Sequence, residues 1–251
     1  MKQDSLYVST LAKGLKILRA FDETHVSLSL KELQKRTGLE KSSVQRLAHT
    51  LHVEGMLDRA PDTRRYRPSH AWLELAYNYY WSDPLVARAL PKLIEFSQAK
   101  GETINLAQIS QDHIIYSLRL PNQRTHFAAS IVGRRVPALI TAAGRVILST
   151  TGDDEIKNAC AHWPVESFTP KTLTDRDTIF ENTCDARDNG FCLTRDQILL
   201  NEISLAVPLT GNDGRARAAL QISLSSRTYT PEQVVDKFLP ALLDTAAGIL
   251  G

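Results

Sequence analysis

Residues 29–51 read Ser29-Leu30-Lys31-Glu32-Leu33-Gln34-Lys35-Arg36-Thr37-Gly38-Leu39-Glu40-Lys41-Ser42-Ser43-Val44-Gln45-Arg46-Leu47-Ala48-His49-Thr50-Leu51. Ser29 and Glu32 have the spacing of a capping box, in which each side chain satisfies the other residue's free backbone N–H. Leu30 and Leu33 then face inward. Gly38 stops this short helix, because glycine tolerates the left-handed conformation that ends helices. A second helix follows at once, with Ser42-Ser43-Val44-Gln45 as another capping box or with its start a residue or two earlier. Val44, Leu47, Ala48 and Leu51 fall at i, i+3, i+4 and i+7 and make one apolar face. The opposite face carries Ser43, Gln45, Arg46, His49 and Thr50, polar groups able to reach base edges and phosphates. Two short helices around a tight glycine turn, the second polar where it is exposed, make a helix-turn-helix.

The flanks extend this reading. Upstream, Ser9 can cap a helix whose apolar stripe is Leu11, Leu15, Leu18 and Phe21. Downstream, Gly55 ends the helix that carries Arg46. Met56–Arg59 and Tyr66–Arg67 read as short strands around a Pro61-Asp62 turn. Arg59, Arg64, Arg65 and Arg67 concentrate positive charge on that hairpin, as in the wing of a winged helix-turn-helix. Either feature alone is ordinary: amphipathic helices usually make core, and a basic hairpin is usually a solvated face. Together, in this order, they predict DNA binding. Ser43, Gln45 and Arg46 are expected at the major groove, with phosphate contact alone as the alternative for Arg46; Arg64 and Arg65 are expected on the phosphate backbone, and Ser42 and Arg59 complete the expected DNA-binding set.

Charge distribution agrees. Residues 1–70 hold 13 Lys and Arg against 8 Asp and Glu, whereas the remainder holds 17 against 20. A basic front and an acidic back suit a polyanion-binding module joined to something else. Cys160, Cys184 and Cys192 lack CxxC spacing, which supports neither a zinc site nor a disulfide framework. A reducing compartment is expected, and no signal peptide or membrane span is read, so the expected location is the cytoplasm. No cofactor or metal is expected. There is no P-loop, GxGxxG or HExxH. A thiol enzyme built on Cys184 or Cys192 would need a histidine partner that no local motif provides. A ligand-free architectural DNA-binding protein is the third reading, and the large back half argues against it.

That back half begins with an aromatic helical segment containing Trp72, Leu73, Leu75, Ala76, Tyr79 and Tyr80. Pro84 allows a new helix start, and Leu85, Ala89, Leu93 and Phe96 continue at helical spacing to Gly101. From Thr103 to Ile109 the alternation has period two, which predicts a half-buried strand, with Ile114–Leu120 as its return. Helices are expected near 142–149, 153–162 and 175–189. Strands are expected at 191–194, 203–208 and 216–223, the last two joined by Gly211-Asn212-Asp213-Gly214. Thr230-Pro231-Glu232 starts a closing helix. The fold class is therefore α+β: a winged helix-turn-helix over residues 1–69, a linker helix over 70–83, and an antiparallel sheet domain flanked by helices over 84–251.

The chain resembles the IclR family of bacterial transcriptional regulators. The resemblance rests on Ala12-Lys13-Gly14-Leu15-Lys16-Ile17-Leu18, on Thr37 through Leu47, and on Val132-Gly133-Arg134-Arg135-Val136-Pro137-Ala138-Leu139 running on to Thr141-Ala142-Ala143-Gly144-Arg145. It implies a GAF-like effector-binding domain. It also implies a linker helix that helps pair two front domains, in a homodimer or homotetramer on double-stranded operator DNA. Carried onto this chain, Ala128, Val136, Ala142 and Ala143 would wall the effector pocket. Thr194, Ser204, Gln221 and Ser223 would hydrogen-bond the effector, and the Ala142 and Ala143 amides would receive a carboxylate. The family often has an acidic residue at the position of Thr194 and a cysteine at that of Ser204, so charge and shape differ here. The expected function is a ligand-responsive regulator of a catabolic operon, a repressor, with a small organic acid or aromatic carboxylate as effector. An activator of the same architecture is the alternative.

Overall fold

The computed structural model describes residues 6–122 and 132–250. The chain divides into two compact units, Met1–Ser82 and Asp83–Gly251.

In the first unit, α1 (Ser9–Leu18), α2 (Leu30–Thr37) and α3 (Lys41–Val53) precede a two-stranded antiparallel wing, β1 (Leu57–Arg59) with β2 (Tyr66–Pro68). The Ser29/Glu32 capping box forms in full, and Gly38 takes the left-handed conformation at φ 66°. Its side-chain cap contributes about 1 kcal/mol. α3 ends in a Schellman motif: Met56 N–H donates to Leu51 C=O and Gly55 N–H to His52 C=O. That hook turns the chain into the wing. Ile17, Ala20, Leu28, Leu33, Val44, Ala48, Leu57 and Tyr66 form the core of the unit.

Three expectations fail here. Ser9 is the first residue of α1 and not its cap, which is Val8 without a side-chain bond. Leu11 and Leu15 are exposed, because the buried face of α1 runs through Gly14 and Ile17. The apolar residues of this helix occupy more than one face, so periodicity alone selected the wrong stripe. The second capping box is also absent: Glu40 precedes α3 without a side-chain cap, and Ser42 lies inside the first turn.

α4 (Ala71–Ser82) closes the first unit and has no buried residue. Trp72 belongs to its own unit, with its ring edge-on to Phe21 and its Nε1 donating to Met56 C=O at 2.9 Å. Leu73, Leu75, Tyr77, Tyr79 and Trp81 are exposed.

The second unit opens with α5 (Pro84–Lys100), capped by Asp83 and ended by Gly101 in the left-handed conformation. Strands β3 (Thr103–Ser110), β4 (His113–Leu120), β5 (Arg135–Pro137), β6 (Cys192–Arg195), β7 (Glu202–Thr210) and β8 (Ala216–Ser225) form one antiparallel sheet ordered β5-β4-β3-β8-β7-β6. A 3-10 turn (Ala138–Ile140) leads into α6 (Ala142–Leu148), followed by α7 (Asp153–His162) and α8 (Arg176–Asn189). α9 (Pro231–Leu250) ends the fold. α5 and α9 cover one face of the sheet, and α6 covers the other. This explains why β3 is buried from Thr103 to Ala107 instead of alternating as a half-buried strand would. The strand β5 escaped the sequence reading because three residues carry too short a pattern. Among the described residues no helix is long and apolar enough to cross a membrane.

Candidate DNA-reading surface and effector face

The exposed face of α3 carries Ser42, Gln45, Arg46 and His49, with Ser43 half-buried at its edge. α2 and the turn at Gly38 hold this helix from behind through Leu33, Val44 and Ala48. Among the described residues the Arg46 side chain has no ion-pair or hydrogen-bond partner, and neither does that of Arg64. Arg64 sits at the tip of the wing at φ 54°, a conformation uncommon for a side chain of its size. Its guanidinium is displayed to solvent.

The other arginines of the wing are engaged. Arg65 reaches back to α2: Nη2 donates to Ser27 C=O at 2.6 Å and lies 2.9 Å from the Glu32 carboxylate. Glu32 is held down to a pKa of about 2, first by the Ser29 hydroxyl, then by the Ser29 N–H and Arg65. Arg65 thus pins the wing to the capping box. Arg67 pairs with Asp58 across the hairpin, and Arg59 lies 5.6 Å from the Tyr66 ring centroid. Arg59 stays exposed, since a cation over a ring keeps its outward N–H groups.

In the second unit, register brings most of the expected effector residues onto one face of the sheet. Thr194, Ser204 and Ser223 lie opposite one another across β6, β7 and β8, with Thr103 next in the row. The adjacent row holds Cys192, Ala206, Gln221, Asn105 and Arg119. α6 packs above, so Val136, Ala142 and Ala143 join the same cluster. Ala128 lies outside the described residues.

Gln221 is the hub, and it is only 3% exposed. Its Oε1 accepts from Ala143 N–H at 3.3 Å. Its Nε2 donates to the Tyr116 hydroxyl at 3.2 Å and lies 3.4 Å from the Ser204 hydroxyl. Ser204 donates to Glu202 Oε1 at 3.1 Å, and Arg119 donates to Asn105 Oδ1 at 3.1 Å. The helix start is therefore occupied, with the Ala143 amide on Gln221 and the Gly144 amide on the Thr141 hydroxyl. The expectation that both alanine amides await a carboxylate needs correcting: Gln221 already supplies an acceptor oxygen to one of them. The sequence reading missed Asn105, Tyr116, Arg119 and Glu202. The signal was present in the strand alternation, which puts Arg119 and Asn105 on the same side, but it could not be read without register. Burial pushes the Tyr116 hydroxyl and the Glu202 carboxyl upward in pKa.

Arg145 on α6 is buried, donating from Nε to Leu139 C=O at 2.6 Å, while its Nη2 has no partner. Its neighbours Cys192 and Cys160 are thiols whose pKa burial raises, so they bring no compensating charge. This residue ties α6 to the 3-10 turn.

Comparison with known proteins agrees with both halves. Residues 10–61 match the IclR helix-turn-helix domain, and residues 78–250 match the family described as bacterial transcriptional regulator IclR C-terminal. The Pca regulon regulatory protein of Pseudomonas putida is 29% identical over 241 residues, covering 96% of this chain and 82% of that protein. The fold is shared with an IclR transcriptional regulator from Alicyclobacillus acidocaldarius, at TM-score 0.84 and 21% identity, covering 97% and 98% of the two chains. It is shared too with an IclR homolog from Microbacterium hydrocarbonoxydans complexed with 4-hydroxybenzoate, at TM-score 0.78 and 22% identity, covering 96% and 97%. A helix-turn-helix with a wing, joined to an IclR C-terminal sheet domain over nearly the whole chain, places this protein in the IclR family of DNA-binding transcriptional regulators.

Proposed function

We propose that this protein represses a catabolic operon and is controlled by a small organic acid, with aromatic carboxylates as the leading class. Ser42, Ser43, Gln45 and Arg46 enter the major groove, and Arg59 and Arg64 contact the phosphate backbone. Arg65 serves them indirectly by fixing the wing. The observation that carries the DNA reading is the unpartnered Arg46 guanidinium on the exposed face of α3. A fork of five donors held out to solvent suits bidentate contact with guanine or with phosphate.

The acid reading rests on the sheet face around Gln221, Ser204, Thr194 and Ser223. A ligand oxygen can replace Gln221 Oε1 at the Ala143 amide and leave the Gln221 amide free to donate. The 4-hydroxybenzoate held by the Microbacterium homolog supports this class of ligand. Two or four subunits would present paired α3 helices to a roughly palindromic operator, with the exposed residues of α4 between front domains. Repression requires only occupancy of the operator, and the acid would relieve it by changing how paired front domains are spaced.

Two measurements test the reading. In gel shifts at two salt concentrations, Arg46→Ala should weaken operator binding more than binding to scrambled DNA. Equal loss on both DNAs would move Arg46 to the phosphates, and no loss would overturn the interface. In a thermal-shift screen of organic and aromatic acids, at least one acid should raise the Tm of the wild type and less so that of Ser204→Ala. Stabilisation by none would remove the acid from this face.

A further inference from the structure

α3 starts without the cap its position calls for. The residue before it is Glu40, extended at φ −60° and ψ 144°, and its side chain makes no bond to the helix N-terminus. Serine, threonine, aspartate and asparagine fill that role, because their side chains are short enough to reach the amides of the first turn. Glu40 is exposed, and among the described residues its carboxylate has no ion-pair or hydrogen-bond partner. α3 itself contains no acid. A surface groove runs past Glu40 and is lined by Lys31, Gln34, Lys35 and Leu39 as well. Lys31 and Lys35 stand one turn apart on α2, both exposed, and neither pairs with Glu40 or with another described residue. The other charged residues of the groove, Glu32 and Arg65, are already paired with each other.

A helix-turn-helix lays its first helix across the phosphate backbone and turns the N-terminal residues of its second helix to base edges. In that docking Lys31 and Lys35 meet phosphates and Glu40 faces the bases. An ionised carboxylate offers only acceptors. Phosphates, guanine O6 and N7, and thymine O4 all repel it. The donors of the major groove are the amines of cytosine and adenine, and adenine sets its N7 acceptor beside that amine, so cytosine suits a carboxylate better. We propose that Glu40 reads a cytosine: its carboxylate accepts from the N4 amine of one cytosine in each operator half-site, while Lys31 and Lys35 hold flanking phosphates. The assignment rests on the placement of α3 proposed above and adds a base identity to it. Glu40 selects by rejection as well as by contact, since guanine or thymine at that position sets acceptor against acceptor.

Selection of bound duplexes from a library with a randomised core, followed by gel shifts on the selected site, tests this with the full chain. Wild-type sites should hold one cytosine per half-site whose replacement by thymine weakens binding about 10-fold. Glu40→Ala should lose the preference at that position and keep those at the others. Glu40→Gln should move it toward adenine, which a side-chain amide contacts through N6 and N7. Lys31→Ala with Lys35→Ala should weaken binding to every sequence and reduce the salt slope by about 2. Circular dichroism melts establish that the variants fold. A Glu40→Ala protein that keeps every base preference, and only melts lower or binds all DNA more tightly, would reduce the carboxylate to a partner of the helix dipole and overturn this inference alone. Unchanged preferences in Arg46→Ala as well would remove α3 from the groove, and this inference with it.

Discussion

Glu32 holds the capping box and the wing together. One carboxylate oxygen accepts from the Ser29 N–H and hydroxyl, both at 2.7 Å, and the Arg65 guanidinium lies alongside. These bonds favour the ionised form, so its pKa falls from 4.5 to about 2. The stabilising contribution is therefore complete above pH 4.5 and is lost as pH falls toward 2. Glu32→Gln should flatten the acid limb of the stability curve across that window, as followed by circular dichroism. An acid limb identical to the wild type would show that the bonds do not persist in solution. The neighbouring arginines separate by role. Arg64→Ala should leave Tm unchanged and reduce the salt slope of DNA binding by about 1, the mark of one lost phosphate contact. Arg65→Ala should instead lower Tm, because Ser27 and Glu32 lose their donor. Melting curves and gel shifts on both variants separate the two.

At the scale of elements, two glycines hold positions where a side chain would add strain. Gly38 ends α2 at φ 66°, so Gly38→Ala should cost about 1 kcal/mol and misplace the start of α3. Gly144 is a packing requirement. A Cβ there would lie 2.1 Å from the carbonyl oxygen of Ala138, where the 3-10 turn folds back on α6. Backbone cannot yield as a flexible side chain would, so Gly144→Ala should cost several kcal/mol and leave the sheet domain insoluble or molten. A soluble Gly144→Ala protein with a wild-type melting curve would count against the close approach. The same turn positions Arg145, whose Nε holds Leu139 C=O.

For the whole molecule, the exposed residues of α4 argue for assembly. Trp81 is 76% exposed and Leu73 68%, on a helix with no buried residue. Large apolar side chains in such density mark an interaction surface. Tyr77→Ser with Trp81→Ser should shift the protein toward monomer in multi-angle light scattering and weaken operator binding through lost pairing. A double variant of wild-type mass would place the interface elsewhere. Coupling between effector and operator must be reciprocal: if the acid lowers operator affinity tenfold, operator DNA lowers acid affinity tenfold. Titrating the acid in the presence and absence of operator measures both sides.

Local chemistry was enough for everything set by neighbours in the chain. Ser29 and Glu32 specified a helix start, Gly38, Gly101 and Gly190 specified helix ends, and Gly211 to Gly214 specified a hairpin. Each depends on groups within a few residues of one another, so the sequence by itself determined the helix-turn-helix, the wing and the α+β class. Family resemblance supplied Thr194, Ser204, Gln221 and Ser223, which register then placed with Val136, Ala142 and Ala143. Only tertiary structure decided the rest. It chose Ile17 over Leu11 as the buried face of α1, and bonded Arg65 to Ser27 and Glu32. It also set Arg119, Tyr116 and Glu202 around Gln221. Those groups come from strands far apart in sequence, and no local spacing encodes which residues will share one face of a six-stranded sheet.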